Sequence, residues 1–407
     1  MDWKDVRARF KRNKEKYAFY EAKYSYTEPN RGGISKYIPK PHLSWAARAV
    51  DIRANKTTFD RFENDLLGLN EIVKKYKIKE ALEQLESDIL VCGIGFLAFD
   101  GKQVMPFTAE EATGVFDWHQ KNLKSGVAVF RENTSESNRE RVPDSYIEYY
   151  QDRTIIKNGE DLQGYINITG RPLIGMFTYK QTTKKPFGQS LITRAARDAI
   201  VNASCTTRQA MVAAYNYNIK VDVILGADTK TDVDKVEGQV GDILKIGPND
   251  NGQIPQIGQF AQHAMQPFND TILISARNFC ADTKLSLANL TFNENVPQSK
   301  DALEIINDDL KGDIKKWQDT LGEQLKYFVT TMWMYDQEVR KLDDNSLEQI
   351  ANAQPVWKPI FEADVSKFGD GLTKIAQQAP EIIRARSIWR NLGLTSEEID
   401  AVIGLSQ

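Results

Sequence analysis

Histidine and cysteine are scarce in this sequence, whose 407 residues include three of each. No histidine has a second histidine or a cysteine at zinc-ligand spacing, so a zinc site is not expected. The cysteines are far apart and lie in apolar or helical contexts, which favours reduced structural thiols in a cytoplasmic setting over a disulfide framework. These residues are His42, His119, His263, Cys92, Cys205 and Cys280.

Glycine motifs for phosphate binding are also absent, since the sequence has no GxxxxGK[ST] and no GxGxxG. The pair Gly93 and Gly95 is best explained by a tight turn before a strand. Residues 247–252 loosely suggest a calcium loop, but they lack its alternating acids and terminal glutamate, so a hairpin turn is the better interpretation. No nucleophile and base are placed for covalent catalysis. We therefore expect no cofactor, no bound metal and no enzymatic activity.

Long apolar runs and a large excess of one charge are absent as well. The longest apolar run, residues 89–99, is about half the ~20 residues that a membrane-spanning helix needs. The N-terminus is charged and has no apolar signal core. The net charge is −3, so the chain has no overall basic field for nucleic acid. With 41% hydrophobic and 27% charged residues, the composition is typical of a soluble protein of two or three domains.

The first half of the chain predicts a mixed α+β domain. Residues 3–24 predict an amphipathic helix with aromatic residues on one face and basic residues on the other. Such a helix suits a nucleic-acid or membrane arm, or a solvated helix that docks on a neighbouring subunit, because acids dilute its charge. Further helices are predicted at residues 43–55, 64–76 and 78–91, and strands at residues 57–62, 95–100, 126–131, 146–151, 154–157 and 172–179.

The stretch from residue 184 to residue 299 organises the rest of the chain. An alanine-rich helix of about thirty residues is predicted at its start. A β-branched strand at residues 219–225 follows, and then short strands near 243–246 and 254–259. A second helix is predicted from Pro267, because proline suits the first turn of a helix. Residues 286–298 interrupt any helical period and predict an irregular connection.

A very long helix is predicted from Ser299 to about Leu342. Its apolar stripe repeats every eleven residues, near 3.67 residues per turn, so the stripe runs almost straight. We interpret the opposite, acidic face as solvated rather than as a magnesium site of a nuclease. The stripe comprises Leu303, Ile306, Leu310, Ile314, Trp317, Leu321, Leu325, Phe328 and Met332; the acidic face comprises Asp308, Asp309, Asp313, Asp319 and Glu323; Gly312 and Gly322 lie off the stripe. Residues 343–407 are predicted to be helical, with breaks at prolines.

Several segments resemble portal proteins of tailed bacteriophages, of the type found in long-tailed phages of Gram-positive bacteria. Phe187-Gly188-Gln189-Ser190 is similar to the FG-x-S start of the family's first stem helix. Gln266-Pro267-Phe268 is similar to the start of its second stem helix, and Ser299-Lys-Asp-Ala302-Leu303 to the S-x-x-A-L opening of the next helix. The resemblance extends over roughly residues 40 to 345.

The resemblance implies an α+β portal fold, divided along the chain in the family's order. It would consist of a mixed α/β wing at residues 1–186, a two-helix stem at 187–218 and 263–285, a small α/β clip at 219–262, a tunnel loop at 286–300, a long wing helix at 301–342 and a short helical crown at 343–407. About twelve copies would form a ring at one capsid vertex, through which double-stranded DNA is packaged and ejected. The expected location is the virion, and the host cytoplasm during assembly.

Two sets of residues carry the implied functions. The tunnel loop would touch the passing duplex through Leu287, Asn289, Leu290, Thr291, Phe292, Asn293 and Asn295. The clip would bind the terminase motor and the head-tail adaptor through Asp228, Lys230, Asp232, Asp234, Lys235 and Glu237. Major capsid and scaffolding proteins are further expected partners, and no membrane is expected. The alternatives are a metal-dependent DNA-processing enzyme, a minor head scaffold without a channel and, for the loop, an ordinary connector between two helices.

Overall fold

The computed structural model describes residues 4–27, 38–130, 145–158, 161–217, 222–225, 256–259, 264–290 and 307–360, with single positions at 386, 389, 399, 401 and 403. These residues contain eight α-helices and twelve strands, and every strand pairing among them is antiparallel. The predicted α+β class is therefore confirmed. The chain forms two compact units: Met1–Ser25, Ser44–Asp198 and Asn278–Gln407 make the first, and Tyr26–Leu43 and Ala199–Arg277 make the second.

The first four helices were all predicted from the sequence, although the third prediction, residues 64–76, began five residues too early. They are α1 (Lys4–Tyr20), α2 (Trp45–Ala54), α3 (Leu69–Lys75) and α4 (Ile78–Cys92). The stripe of α4, formed by Leu82, Leu85 and Ile89, is fully buried, as its helical spacing indicates. Gly93 ends α4 in the left-handed conformation, with φ 89°, and its N–H donates to the Ile89 carbonyl. Gly93 therefore serves the turn before a strand, as predicted, whereas Gly95 lies inside β2, where an added Cβ would meet the Leu85 side chain.

Three sheets fill the first unit. β2 lies between β3 and β9, the strands β4 to β8 follow one another in a five-stranded sheet, and β1 pairs with β12. All six residues of β2 are buried because the strand is central and packs on α4. The first nine strands are β1 (Phe59–Glu63), β2 (Ile94–Phe99), β3 (Val104–Thr108), β4 (Ala112–Asp117), β5 (Asn122–Phe130), β6 (Ser145–Tyr149), β7 (Arg153–Asn158), β8 (Asp161–Ile166) and β9 (Ile174–Thr178).

Strands β3, β4 and β8 were not predicted from the sequence. Pro106 and Gly114 weaken the strand signal of β3 and β4, because both residue types are rare inside strands. β8 is an edge strand that is exposed along nearly its whole length, so it lacks the alternation that marks a half-buried strand. The alternation of apolar and polar residues, which is the main sequence signal for a half-buried strand, is therefore missing from β8.

Two helices and a strand pair occupy the middle of the chain. α5 (Arg194–Tyr217) is followed by β10 (Asp222–Leu225) and β11 (Gln256–Gln259), which pair antiparallel, and then by α6 (Gln266–Thr283). The predicted first helix began too early, since α5 starts at Arg194 and has 24 residues. The third predicted strand, near residues 243–246, lies outside the described residues.

The long helix, α7 (Asp308–Asp336), is shorter at its end than predicted. Seven stripe positions from Leu310 to Met332 are buried, which confirms the stripe over the described part, while positions 303 and 306 lie outside it. Glu338 adopts φ 54°, and the Val339 N–H donates to the Met334 carbonyl, a six-to-one bond that closes the helix. No glycine marks this end, so the sequence offered no stop signal there.

The chain after α7 is not wholly helical, contrary to the prediction for residues 343–407. α8 (Asp344–Asn352) is capped by the Asp343 carboxylate, which accepts from the Ser346 N–H at 3.0 Å. β12 (Gln354–Trp357) then pairs with β1, whose residues lie almost three hundred positions earlier in the chain. Pro355 packs against Gly322 of α7, where an added Cβ would lie 2.5 Å from the proline ring.

Candidate functional site

A buried carboxylate organises the region where α6 ends and α7 begins. Asp313 was predicted to lie on a solvated face, but it is only 5% exposed, so that prediction is wrong. Its carboxylate accepts from the Tyr179 hydroxyl at 2.5 Å and from the Lys284 ammonium at 2.9 Å. Arg53 Nε lies 3.4 Å away and Lys180 Nζ 3.5 Å away. We call these five residues the Asp313 cluster.

Arg53 brings α2 into this cluster. Its side chain is fully buried, and it donates to the carbonyl oxygens of Ala49 and Thr283 as well as to Asp313. Arginine presents five donors and loses little hydration, so it suits such a buried position better than lysine. The guanidinium thereby connects α2, the last residue of α6 and the first turns of α7.

The charges in the cluster stabilise the ionised carboxylate. Burial alone would raise the pKa of Asp313, but hydrogen bonds from Tyr179 and Lys284 and the charges of Lys180 and Arg53 outweigh burial and lower it to about 2. Burial and the neighbouring cations also lower the pKa of Lys180, although Asp313 opposes this. Asp313 is therefore ionised at neutral pH and serves as a structural anion surrounded by donors.

Two residues of this cluster flank the predicted tunnel loop along the chain. Lys284 precedes the loop and Asp313 follows it, and their ion pair links the two flanking segments. Asn289 Nδ2 donates to Asn307 Oδ1 at 3.1 Å, and Arg48 Nε donates to the Asn289 carbonyl at 3.1 Å. The described contacts therefore hold the two ends of this connection together.

Only part of the predicted tunnel loop can be located, and none of the predicted clip residues. Leu287, Asn289 and Leu290 lie in a single 3₁₀ turn, Leu287–Leu290, in which Leu290 is buried. The other tunnel-loop residues, Thr291, Phe292, Asn293 and Asn295, lie outside the described residues. So do all six predicted clip residues, Asp228, Lys230, Asp232, Asp234, Lys235 and Glu237. Sequence analysis missed Arg53 and Tyr179, because a lone arginine and a lone tyrosine in apolar segments carry no signal of a shared partner.

The FGQS segment forms a close backbone junction before α5. Gly188 has φ 70°, and an added Cβ would overlap the Gly93 carbonyl oxygen. The Ser190 hydroxyl donates to the Val91 carbonyl at 2.6 Å, and the Leu191 N–H donates to the Leu90 carbonyl at 2.9 Å. These contacts hold the segment in a non-helical conformation against the end of α4, which explains why the helix starts after it.

Thr193 joins the start of α5 to the end of α6. Its hydroxyl accepts from the Ala196 N–H at 3.1 Å, as an N-cap does, and donates to Asp282 Oδ2 at 2.5 Å. Asp282 is the penultimate residue of α6. A hydrogen bond therefore joins the start of α5 to the end of α6, although its two residues are 89 positions apart in the chain.

No group of three or more histidine, cysteine or acidic residues with metal-binding geometry occurs among the described residues. None of the described helices is long and apolar enough to cross a membrane. The three cysteines form no disulfide, and Cys92 and Cys280 are buried.

Comparisons with known proteins found similarity only at the level of solved structures. No model of a known protein family and no curated protein matches the chain. The chain is similar to chains in three structures of gene transfer agent (GTA) particles: the virion of the native particle (14% identity, TM-score 0.45), the neck of the native particle computed with C12 symmetry (13%, 0.45) and the neck of the empty particle computed with C6 symmetry (12%, 0.46). Each match covers 88% of this chain and 89% of the other chain.

Proposed function

We propose that this chain is a portal protein, a non-enzymatic subunit of a ring that conducts double-stranded DNA into and out of a capsid. The observation that carries the proposal is the order of the elements from α5 to α7. A helix, an antiparallel strand pair, a second helix and a long helix follow one another along the chain. This is the order of stem, clip, stem and wing helix that the resemblance implies.

The connections around the proposed stem support this assignment. The Thr193–Asp282 hydrogen bond brings the start of α5 and the end of α6 together, as a hairpin of two helices requires. In the proposal, β10 and β11 belong to the clip, and their antiparallel pairing closes the segment between the helices. The clip would bind the terminase motor and the head-tail adaptor through the charged residues between these strands.

The proposed tunnel loop has a composition suited to a sliding duplex. Residues 286–298 contain one charged residue, Glu294, and no cation that would neutralise phosphates and hold DNA in place. The Asp313 cluster and the Asn289–Asn307 pair give the loop a firm base at both ends. In the proposal, this base keeps its place in the ring while the loop touches DNA weakly.

Apolar side chains on the proposed stem are uncovered in the single chain. Met211 of α5 is 42% exposed and Ile274 of α6 is 55% exposed. Large apolar side chains on a helix surface are typical of protein–protein contacts. In the proposal, a different face of the neighbouring subunit's stem covers them, and such a head-to-tail contact produces a ring when it closes.

Assembly is the first test of this function. Twelve chains of 46.2 kDa give a mass of about 554 kDa, so mass photometry should detect a species near that value. Negative-stain images of it should show a ring with an axial hole. A chain that stays monomeric or dimeric across protein and salt concentrations would contradict the proposal. Particles without an axial hole would instead favour a minor head scaffold.

A loop replacement tests the channel role separately. Replacing residues 287–295 by a nine-residue Gly/Ser linker should leave the mass of the ring unchanged and abolish DNA packaging or retention in capsids. The matched control replaces residues 132–140, which connect β5 and β6, by the same linker. Normal DNA-filled heads from the first variant would show that residues 287–295 are a plain connector.

Charge reversal tests the proposed clip. Reversing the six clip residues should weaken binding of the terminase or the adaptor, measured by pull-down with purified partners, while the ring remains intact. As the control, the exposed charges of α7 at Asp309, Lys315, Lys316, Asp319 and Glu323 are reversed instead. Loss of the ring together with unchanged partner binding per subunit would remove the clip assignment.

The alternative of a metal-dependent nuclease has less support from the site. It would need several carboxylates on one face of α7, but Asp313 is buried under cations while Asp308 and Asp309 are exposed. Incubation of the purified chain with plasmid DNA and magnesium or manganese separates the two functions. Cleavage that is lost in a D308N/D309N variant would favour the enzyme.

A further inference from the structure

A cavity of about 540 Å³ lies within the first unit, beside the start of α5. It is bounded by α1, the end of α4, β2, β4 and residues 184–197. This volume falls in the range of small-molecule sites, about 300–1,000 Å³. The proposed portal function assigns no role to the cavity.

The charges around this cavity are all positive. Six cationic side chains line it, and no aspartate or glutamate does: Arg12, Lys16, Lys184, Lys185, Arg194 and Arg197. Glu15 pairs with Arg197 at 2.5 Å, and Asp198 lies 3.9 Å from Arg194. Among the described residues, no carboxylate forms an ion pair with the other four cations. The cavity therefore has a surplus of positive charge that an anion would neutralise.

The cations are close enough to disturb one another. Lys16 donates to the Cys92 carbonyl at 2.8 Å, which orients its ammonium group but does not neutralise it. Burial lowers the pKa of Lys16, and the charges of Arg12 and Arg197 lower it further. A bound anion would relieve this repulsion.

Two polar atoms at the cavity have no partner among the described residues. Asn13 is 2% exposed, and its Nδ2 donates to the Ala109 carbonyl at 3.0 Å. Because that bond requires the nitrogen, the other amide atom is the oxygen, and this Oδ1 accepts no hydrogen bond. Arg197 Nε is likewise buried without an acceptor. Buried polar atoms normally have partners, so a ligand that brings both an acceptor and a donor would complete this site.

The start of α5 adds a further anion-binding feature. α5 has 24 residues, and Arg194, its first residue, lines the cavity. The first N–H groups of a helix have no acceptor within the helix, and the helix dipole favours negative charge at this end. Thr193 caps the N–H of Ala196, which leaves the earlier N–H groups of the first turn for another acceptor.

We propose that this cavity binds a small phosphate ester. Its phosphate groups would lie among Arg12, Lys184 and Lys185 near the start of α5, and a hydroxyl or amino group of the ligand would donate to Asn13 Oδ1. A phosphate carries up to two charges and several acceptor oxygens, so it matches four unpaired cations better than a single carboxylate does. Ile94, Phe96 and Phe187, which also line the cavity, would contact an apolar or planar part of the ligand.

Isothermal titration calorimetry on the full chain tests the site. The probes are ADP, pyrophosphate, an eight-residue thymidine oligonucleotide and a glutamate-rich octapeptide. We expect ADP to bind and the K184Q/K185Q variant to bind it at least tenfold more weakly. The matched control, K315Q/K316Q, removes two adjacent exposed lysines of α7 and should bind like the wild type. R12Q, a change at an exposed position of α1, supplies a second, independent loss of affinity.

Each outcome decides one point. A higher affinity for ADP than for the oligonucleotide supports a free nucleotide as the natural ligand, and the reverse supports the phosphodiester backbone of a nucleic acid. Absence of binding by every phosphate probe at millimolar concentration overturns the proposal. So does equal weakening in the K184Q/K185Q and control variants, or binding of the octapeptide as tightly as pyrophosphate. Ring formation is a separate measurement, so failure here leaves the portal function untouched.

Discussion

A buried glutamate in α4 should make the protein less stable as the pH rises. Glu86 is 3% exposed, and its Oε1 accepts no hydrogen bond among the described residues. Burial, and to a smaller extent the charge of Glu83, raise the pKa of Glu86 from 4.5 to about 9. The folded protein therefore keeps this carboxyl group protonated at neutral pH. We predict that Glu86→Gln, which replaces it with a neutral group of the same shape, stabilises the protein at pH 7.

The magnitude follows from proton linkage. For an acid whose pKa is raised on folding, the stabilisation is complete below the unfolded value of 4.5 and is lost as the pH rises towards 9. Each pH unit between these values costs the folded state about 1.4 kcal/mol. At pH 7 the wild type should therefore be about 3 kcal/mol less stable than the variant, and at pH 5 less than about 1 kcal/mol.

Urea unfolding at pH 5, 6 and 7, followed by tryptophan fluorescence, measures this difference. Glu80→Gln is the matched control, because Glu80 is exposed on the same helix and the substitution removes the same charge. The stability of that control should follow the wild type at every pH. A constant difference between Glu86→Gln and the wild type across this range would refute the reasoning, and so would a less stable variant at pH 7.

Three further predictions test the packing argument. Asp313→Ala leaves a buried guanidinium without its carboxylate, so urea unfolding at pH 7 should show a free energy of unfolding about 3–5 kcal/mol lower. Because the pKa of Asp313 is lowered in the folded protein, its contribution to stability should disappear as the pH falls from about 4 to 2. An acid-unfolding midpoint that is the same in the variant and the wild type would contradict this. Gly188→Ala should prevent recovery of folded protein, because the added Cβ would overlap backbone atoms. The control is Gly170→Ala, which has a similar φ and no atom within 4 Å of the added Cβ, and it should cost about 1–2 kcal/mol of strain. Equal melting temperatures of these two variants would argue against the close backbone contact at Gly188. Gly312→Ala adds a Cβ with no atom within 4 Å, so it should raise the free energy of unfolding by up to ~1 kcal/mol. Gly322→Ala should lower the free energy of unfolding, because its Cβ would meet Pro355 of β12. Melting temperatures that shift in the same direction in both variants would be evidence against the packing of β12 on α7.

Local pattern predicted the elements whose burial follows a regular period. α2, α4, the central strand β2 and the apolar stripe of α7 all agree with the spacing of their apolar residues. The spacing of apolar residues along an element indicates which of its sides is buried, and about a dozen neighbouring residues are enough to reveal that spacing. The resemblance to portal proteins added the order of the elements from α5 to α7, but their start and end residues depended on contacts made elsewhere.

Non-local contacts decided the rest. The non-helical FGQS segment delays the start of α5 because its backbone packs on Gly93, nearly a hundred residues earlier. β12 is a strand because β1 supplies its hydrogen bonds, and no local pattern announces such a partner. α7 ends at a left-handed glutamate rather than a glycine, so the usual stop signal is missing.

The sequence by itself determined the α+β class and the elements whose apolar residues follow a regular period. Only the tertiary structure decided which charges are buried. Asp313 looks like one more acid on a solvated helix face until Arg53, Tyr179 and Lys284 surround it. The cavity beside α5 likewise collects cations from α1 and from residues 184–197, which lie far apart in the chain. A charge tolerates burial only where partners converge, and convergence is a property of three-dimensional packing.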